Sequence, residues 1–384
     1  MGIIGKHFGQ PSYFLGSNLV DLRVTVQGGH LTADFKSPDR GFKGNSRISP
    51  FFIAPWWKEA PGENQDEIIN VLRGDFFCLP FGGNDEEYEG RKYPVHGETA
   101  NSCWDFISLK EEEKTRELVL QMKLEGMKGR VEKHITLAKD EPVVYSLHRI
   151  IGFSGRVPIG HHPTLKLPET VGIGIIDMTR PLEGFTTPSP VEKPSNRGYS
   201  RIAPGRKIRH MRSVPCMDGS HIDMTRYPQS FGYEDIVLFV NDSGKDFVFT
   251  SLSVPSEGYL YFQLKNPRVL RETLLWMSNG GRHYPPWNGR VRAVLGMEEI
   301  TAFYHYGIKP SIESNALTEN SYPTSVELLE DRPFDVKLVM GAVSIGEDFT
   351  GVTDIVRKND SEIIIIGRGG ERIEVRCKVD FLSD

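Results

Sequence analysis

The chain has 384 residues, 38% of them hydrophobic and 25% charged, with a formal net charge of −5 at neutral pH. That is enough for a large core; a prior of about 150 residues per domain gives roughly two or three domains, though all-β architectures often exceed that length as one unit. A slightly negative balance supplies no summed positive field for a polyanion, which argues against a dedicated nucleic-acid or anionic-membrane binder and favours a neutral small ligand as partner.

Taken in chain order, the opening segment carries Lys6, His7, Gln10 and Pro11 where a secretory leader needs a continuous apolar stretch, so the expected location is cytoplasmic. Trp56-Trp57 reads as an aromatic core corner. Asp66 to Leu72 has the pattern of a short helix capped by Asp66. From residue 118 strand signals dominate: Leu118, Leu120, Met122 and Leu124 alternate with polar or smaller residues, and the pattern recurs at Val131 to Leu137 and Val143 to Ile151, which predicts a meander. Lys110-Glu-Glu-Glu-Lys114 predicts a solvated hairpin tip. Thr186 to Pro228, rich in Pro, Ser, Arg and Lys, reads as a long surface excursion. Further strands are expected at Asp235 to Val240, Phe247 to Leu252, Tyr259 to Leu264, Val291 to Leu295, Thr301 to Tyr306, Val336 to Met340, Glu362 to Ile366 and Arg372 to Val379. The 39 glycines and 25 prolines are spread along the chain, as the turns of antiparallel sheets require. The expectation is one all-β domain over 1–384, with a soft boundary near 308–331 setting off a possible C-terminal β extension from about 310 to 384.

The cysteines, Cys78, Cys103, Cys216 and Cys377, lie far apart, with neither a C-x-x-C pair nor the Cys/His spacing that clamps zinc, so they read as thiols and no metal site is expected. Chemistry concentrates in three segments. In the first, Leu72-Arg73-Gly-Asp-Phe-Phe-Cys-Leu-Pro-Phe-Gly-Gly-Asn84 is followed by Tyr93-Pro-Val-His96-Gly-Glu-Thr-Ala-Asn101-Ser-Cys-Trp104, placing an imidazole and an indole together; a flat ring beside a hydrogen-bonding group is a common way to hold a sugar. In the second, Gly160-His161-His162-Pro163 ends a strand, and because adjacent strand residues face opposite ways only one histidine can point into a given face. In the third, Leu275-Trp276-Met-Ser-Asn-Gly-Gly-Arg282 precedes a strand interrupted by Glu298 and Glu299; one of the two should face a cleft, where burial would raise its proton affinity toward that of a general base.

Together these segments resemble the aldose 1-epimerase (galactose mutarotase-like) superfamily, including its hexose-6-phosphate mutarotase branch. The resemblance runs through Gly74 to Gly83, His96-Gly-Glu-Thr-Ala-Asn101-Ser-Cys-Trp104, His162-Pro163 and Gly296-Met-Glu298-Glu, over about Leu72 to Phe303. It implies a large twisted antiparallel β-sandwich with the ligand on the concave face of one sheet and no metal or organic cofactor. It implies Glu298 as the base that removes the anomeric hydroxyl proton, His162 as the acid that protonates the ring oxygen and His96 as a hydrogen-bonding partner of the sugar. Trp104, Asn101, Arg73, Trp276, Arg282 and His161 complete the expected substrate contacts. The chain departs from the family pattern at Glu98-Thr99-Ala100, where an arginine for a charged sugar is missing, so a phosphosugar requires Arg73, Arg282 or Arg290 to substitute. It departs again at Glu299, which stands where a proline is expected and leaves the choice between Glu298 and Glu299 open. A non-catalytic carbohydrate-binding or sensing protein, and an oligosaccharide lyase or hydrolase, are alternatives on the same fold. The sequence leaves the oligomeric state open.

Overall fold

The computed structural model describes residues 4–39, 41–59 and 66–383. The opening residues 1–3 of the segment examined for a leader lie outside them. Among the described residues, no helix is long and apolar enough to cross a membrane, and no group of three or more His, Cys, Asp or Glu is placed to hold a metal ion.

Alternation of period two builds the central structure: two antiparallel sheets packed face to face. The larger has nine strands, among them the expected meander, observed as Thr115–Lys123, Arg130–Ala138 and Val143–Ile151. Residues 112–114 form its hairpin tip, as the run of charges suggested. The smaller sheet has eight strands, including Tyr233–Val240, Glu272–Asn279, Val294–Thr301, Ile159–His161 and Phe77–Cys78. Val237, Phe239, Leu275, Met277, Leu295 and Met297 point from it into the core between the sheets, while Ile236, Leu238, Leu274 and Trp276 pack on its outer face. A separate five-stranded sheet spans Ile4–His7 to Arg47–Ile48.

Phe334–Ser344 runs through the nine-stranded sheet between Tyr259–Lys265 and Val143–Ile151, so the interior of that sheet is incomplete without it. Only Val352–Asn359, Glu362–Gly367 and Arg372–Arg376 form a sheet of their own; Ile355, Ile363, Ile365 and Val375 cover Val143, Phe262 and Val339 on the outer side of the nine-stranded sheet. The strand expected at Val291 begins instead at Val294 and continues to Thr301, and residues 302–307 turn back where a second strand was expected. The short helix is Glu67–Val71. Asp66 precedes it without capping it: its Oδ2 accepts a hydrogen bond from the Val95 amide at 2.9 Å and ties the helix to the loop carrying His96.

Candidate functional site

The strand Val294–Thr301 turns Glu298 and Glu299 to opposite faces, and cross-strand register sorts the neighbours with them. Glu299 lies opposite His161 and Thr273, so these three share the inner face. There Glu299 accepts hydrogen bonds from Thr250, Gln263 and Thr273 at 2.8, 2.6 and 2.7 Å and pairs with Lys265, all buried between the sheets. Glu298 faces outward, 3% exposed, with Oε1 3.2 Å from Nε2 of His162. Gly296 makes room for it: a Cβ there would stand 2.9 Å from Glu298 Oε1 and 3.0 Å from the Trp276 Cβ. Strand period sets the two glutamates on opposite faces, and the register places Glu298 on the outer one.

His162 follows directly on Ile159–His161. Its amide donates to the Phe76 carbonyl at 3.0 Å, and its ring stacks on Phe76 at 4.5 Å, whose other neighbour is the His30 ring at 4.4 Å. Nδ1 of His162 lies 3.0 Å from the Thr164 hydroxyl, and that hydroxyl donates to the His162 carbonyl at 3.2 Å. With its single proton so used, the hydroxyl accepts from Nδ1–H, which assigns the lone pair to Nε2, facing Glu298. His96 stands perpendicular to His162 at 4.9 Å. It is held in the left-handed region (φ 58°), its amide donating to the Gly82 carbonyl at 2.7 Å. A non-glycine residue there is a local backbone cost sustained by the surrounding hydrogen bonds. Gly97, also left-handed, is obligatory for a second reason: a Cβ would lie 2.0 Å from the Leu79 carbonyl oxygen.

These groups line a cavity of about 170 Å³. Its polar side is His96, His162, Glu298, Arg282 and His305; its apolar side is formed by Ile68, Ile69 and Leu72 beside the short helix, Val95, Ile236 and the indoles of Trp276 and Trp287. The Arg282 guanidinium lies over the Trp287 ring at 4.5 Å and the Trp276 ring at 5.6 Å. Its Nε is 2.8 Å from Glu192 Oε1 and 3.4 Å from Glu234 Oε1. Glu234 in turn accepts from Trp276 Nε1 at 2.6 Å and Ser278 Oγ at 2.9 Å, and the Tyr284 hydroxyl donates to Glu192 at 2.8 Å.

Burial dominates the electrostatics. It pushes the Glu298 carboxyl well above the usual carboxylate range, with the Arg282 charge pulling the other way. Burial also lowers His162 to about 3 and His305 to about 4, and holds His96 well below the ordinary imidazole value. Glu234 is pushed up to about 7 by burial, against the pull of Arg282. Although the distance between Glu298 and His162 is that of an ion pair, both shifts favour the neutral forms. Burial thus favours a carboxylic acid facing a neutral imidazole, with one transferable proton between them.

Of the residues singled out from sequence, His96, His162, Glu298, Trp276 and Arg282 meet in this cavity. Trp104, Asn101, Arg73 and His161 do not, and each has a structural reason. Trp104 is 1% exposed on the inner side, its Nε1 donating to the Thr99 carbonyl at 3.0 Å and its ring under the Lys133 ammonium. Asn101 spends its amide on the backbone, bonding the Ile68 amide, the Val95 carbonyl and the Gly97 carbonyl, so it shapes the wall without reaching the cavity. Arg73 is buried and donates to the Val71, His7 and Phe8 carbonyls, anchoring the N-terminal sheet. His161 faces inward with Nδ1 3.0 Å from Asp75 Oδ2, the alternation that exposes His162 to the cavity having removed it. Sequence reasoning missed His305, Glu234 and Glu192. Glu192 arrives from the long excursion after Thr186, and His305 from the turn misread as a strand; neither carries a motif that marks it.

Two large antiparallel sheets packed face to face, with an acid–imidazole pair on the outer face of one, define the class: a β-sandwich protein with a cleft on one sheet. Within that class the chain has a galactose mutarotase-like fold. No protein-family model matches the sequence, and no curated protein does. Solved structures do: a galactose mutarotase related enzyme from Lactobacillus acidophilus is similar over 87% of this chain and 98% of its own, at 13% identity and a TM-score of 0.55. A galactose mutarotase-like protein from Clostridium acetobutylicum is similar over 90% of this chain and 99% of its own, at 10% identity and a TM-score of 0.56. An aldose epimerase homologue from C. elegans is similar over 87% of this chain and all of its own, at 10% identity and a TM-score of 0.52. At such identities it is the fold that is shared.

Proposed function

We propose that this chain is an isomerase of the aldose 1-epimerase type, interconverting the anomers of a small free sugar by acid–base ring opening. The observation that carries the reading is the Glu298–His162 pair, 3.2 Å apart and enclosed in a cavity of about 170 Å³.

Anomer exchange moves one proton. Opening removes the proton from the hydroxyl on C1 and places one on the ring oxygen as the C1–O bond of the ring breaks, giving the open aldehyde. Rotation about C1–C2 then lets the same steps in reverse close the other anomer. The two oxygens share C1, so two groups at hydrogen-bonding distance from each other suit them, one receiving and one giving. In the neutral pair the Glu298 proton faces the His162 Nε2 lone pair; a bound sugar comes between them, so that opening begins with His162 accepting from the C1 hydroxyl and Glu298 donating to the ring oxygen. Closure exchanges the roles. The assignment implied by the family resemblance, Glu298 as base and His162 as acid, is the same pair in its other proton arrangement. His96, whose Nδ1 faces the Gly82 amide at 3.4 Å, has Nε2–H to offer the sugar. Positioned proton transfer of this kind contributes about 10²–10⁴-fold. Magnetisation-transfer NMR on glucose, galactose and other aldoses tests the reading: catalysed exchange supports it, and uncatalysed rates on every sugar tried sink it.

A further inference from the structure

We propose that the sugar this site selects is an unphosphorylated, hydroxyl-poor aldose, a deoxy sugar in particular; this rests on the reading above. The reacting pair occupies the C1 hydroxyl and the ring oxygen. For the remaining hydroxyls, the polar side chains that the cavity offers among the described residues are His96, His305 and Arg282. Of the other nearby donors, Trp276 Nε1 and the Tyr284 hydroxyl are turned away onto Glu234 and Glu192, which leaves the Trp287 indole N–H to a ligand hydroxyl.

The aliphatic part of the lining offers no hydrogen bond: Ile68, Leu72 and Ile236 are at most 5% exposed, and with Ile69 and Val95 they present only carbon to the cavity. A hydroxyl pressed against that wall loses its water and gains nothing, whereas a CH₂ or CH₃ at the same carbon is favourably buried. Charge adds a second filter. Among the described residues Arg282 is the one cationic side chain lining the cavity, and it already faces two carboxylates, Glu192 and Glu234. Arg73 and Arg290, the other candidates for a phosphate, are held elsewhere, by backbone carbonyls and by Glu59. A phosphate or uronate brought to Arg282 would meet those carboxylates at close range.

The experiment compares glucose with its 2-deoxy, 3-deoxy and 6-deoxy analogues and with glucose 6-phosphate, reading catalysed exchange relative to each sugar's spontaneous rate, and binding by saturation-transfer NMR. The expected result is that at least one deoxy sugar exceeds glucose in kcat/KM by about 10- to 100-fold, the scale at which an apolar pocket rejects an added hydroxyl, with glucose 6-phosphate poorest of all. Ile236→Asn, which hands the wall a hydrogen-bonding group, should shrink that ratio; Ile69→Asn, less buried, serves if the first variant does not fold. Glucose or its phosphate turned over as well as every deoxy analogue overturns the inference and leaves the epimerase reading standing. Preferential binding of a deoxy sugar with no catalysed exchange does the reverse, upholding the ligand class and overturning the activity.

Discussion

Glu298→Gln is the perturbation that separates chemistry from architecture. The amide matches the carboxylic acid in shape, and its NH₂ can donate to His162 Nε2 across the same 3.2 Å that the acid proton now spans. The cavity should therefore keep its form, while an amide neither gives up nor takes a proton. If the pair supplies the expected 10²–10⁴-fold, the barrier rises by about 3–5 kcal/mol. Stability should move the other way. Burial raises the Glu298 carboxyl, so the folded state binds its proton more tightly than the unfolded chain does. That contribution is fully present below the unfolded carboxyl value of about 4.3 and is lost as pH rises toward the folded value. Removing the carboxyl removes the loss, so the variant's Tm should equal or exceed the parent's, with a gap that widens from pH 5 to pH 7. Magnetisation-transfer NMR for exchange and thermal melts across that range read both. A folded Glu298→Gln protein that retains exchange to within tenfold would refute the proton-transfer role.

Three further outcomes follow from the same geometry. Glu299→Gln should leave exchange per folded molecule intact but strand the Lys265 ammonium between the sheets, costing about 3–5 kcal/mol in denaturant unfolding; an activity loss without a stability loss would reverse the assignment of the two glutamates. Arg73→Met should destabilise the protein without changing KM, because its donors end on the His7 and Phe8 carbonyls; a raised KM would restore it to the site. His148, whose ring nitrogens are both buried without partners, is held by burial well below its ordinary value of 6.5. Its folded form binds fewer protons than its unfolded form, so the protein loses stability as pH falls below 6.5, by about 1.36 kcal/mol per pH unit for this one group. His148→Phe should remove that slope, and melts showing the same pH dependence in both proteins would contradict it.

What was legible in the sequence is what period two writes there. The meander and the Tyr233–Val240 strand show alternating or densely apolar residues, and the Glu298/Glu299 and His161/His162 pairs show that one member of each must face away. Which member faced the cavity was not legible, because that depends on the register that sets Glu299 opposite His161. Trp104 and Asn101 sit in the loop that carries His96, Arg73 anchors the N-terminal sheet, and residue type cannot distinguish a side chain that contacts a ligand from one that holds the chain in place; His161 was lost to strand alternation. Glu192, Glu234 and His305 come from three distant parts of the chain and meet only when the sheet is assembled, so no spacing announces them.

The most direct test of the central claim is anomer exchange measured on the full chain and on Glu298→Gln, side by side, over a panel of neutral and deoxy aldoses. The account predicts catalysed exchange by the parent on at least one sugar and a fall of about 10²–10⁴-fold in a variant that still binds it. Equal exchange by both proteins, or sugar binding by both with exchange by neither, would contradict it.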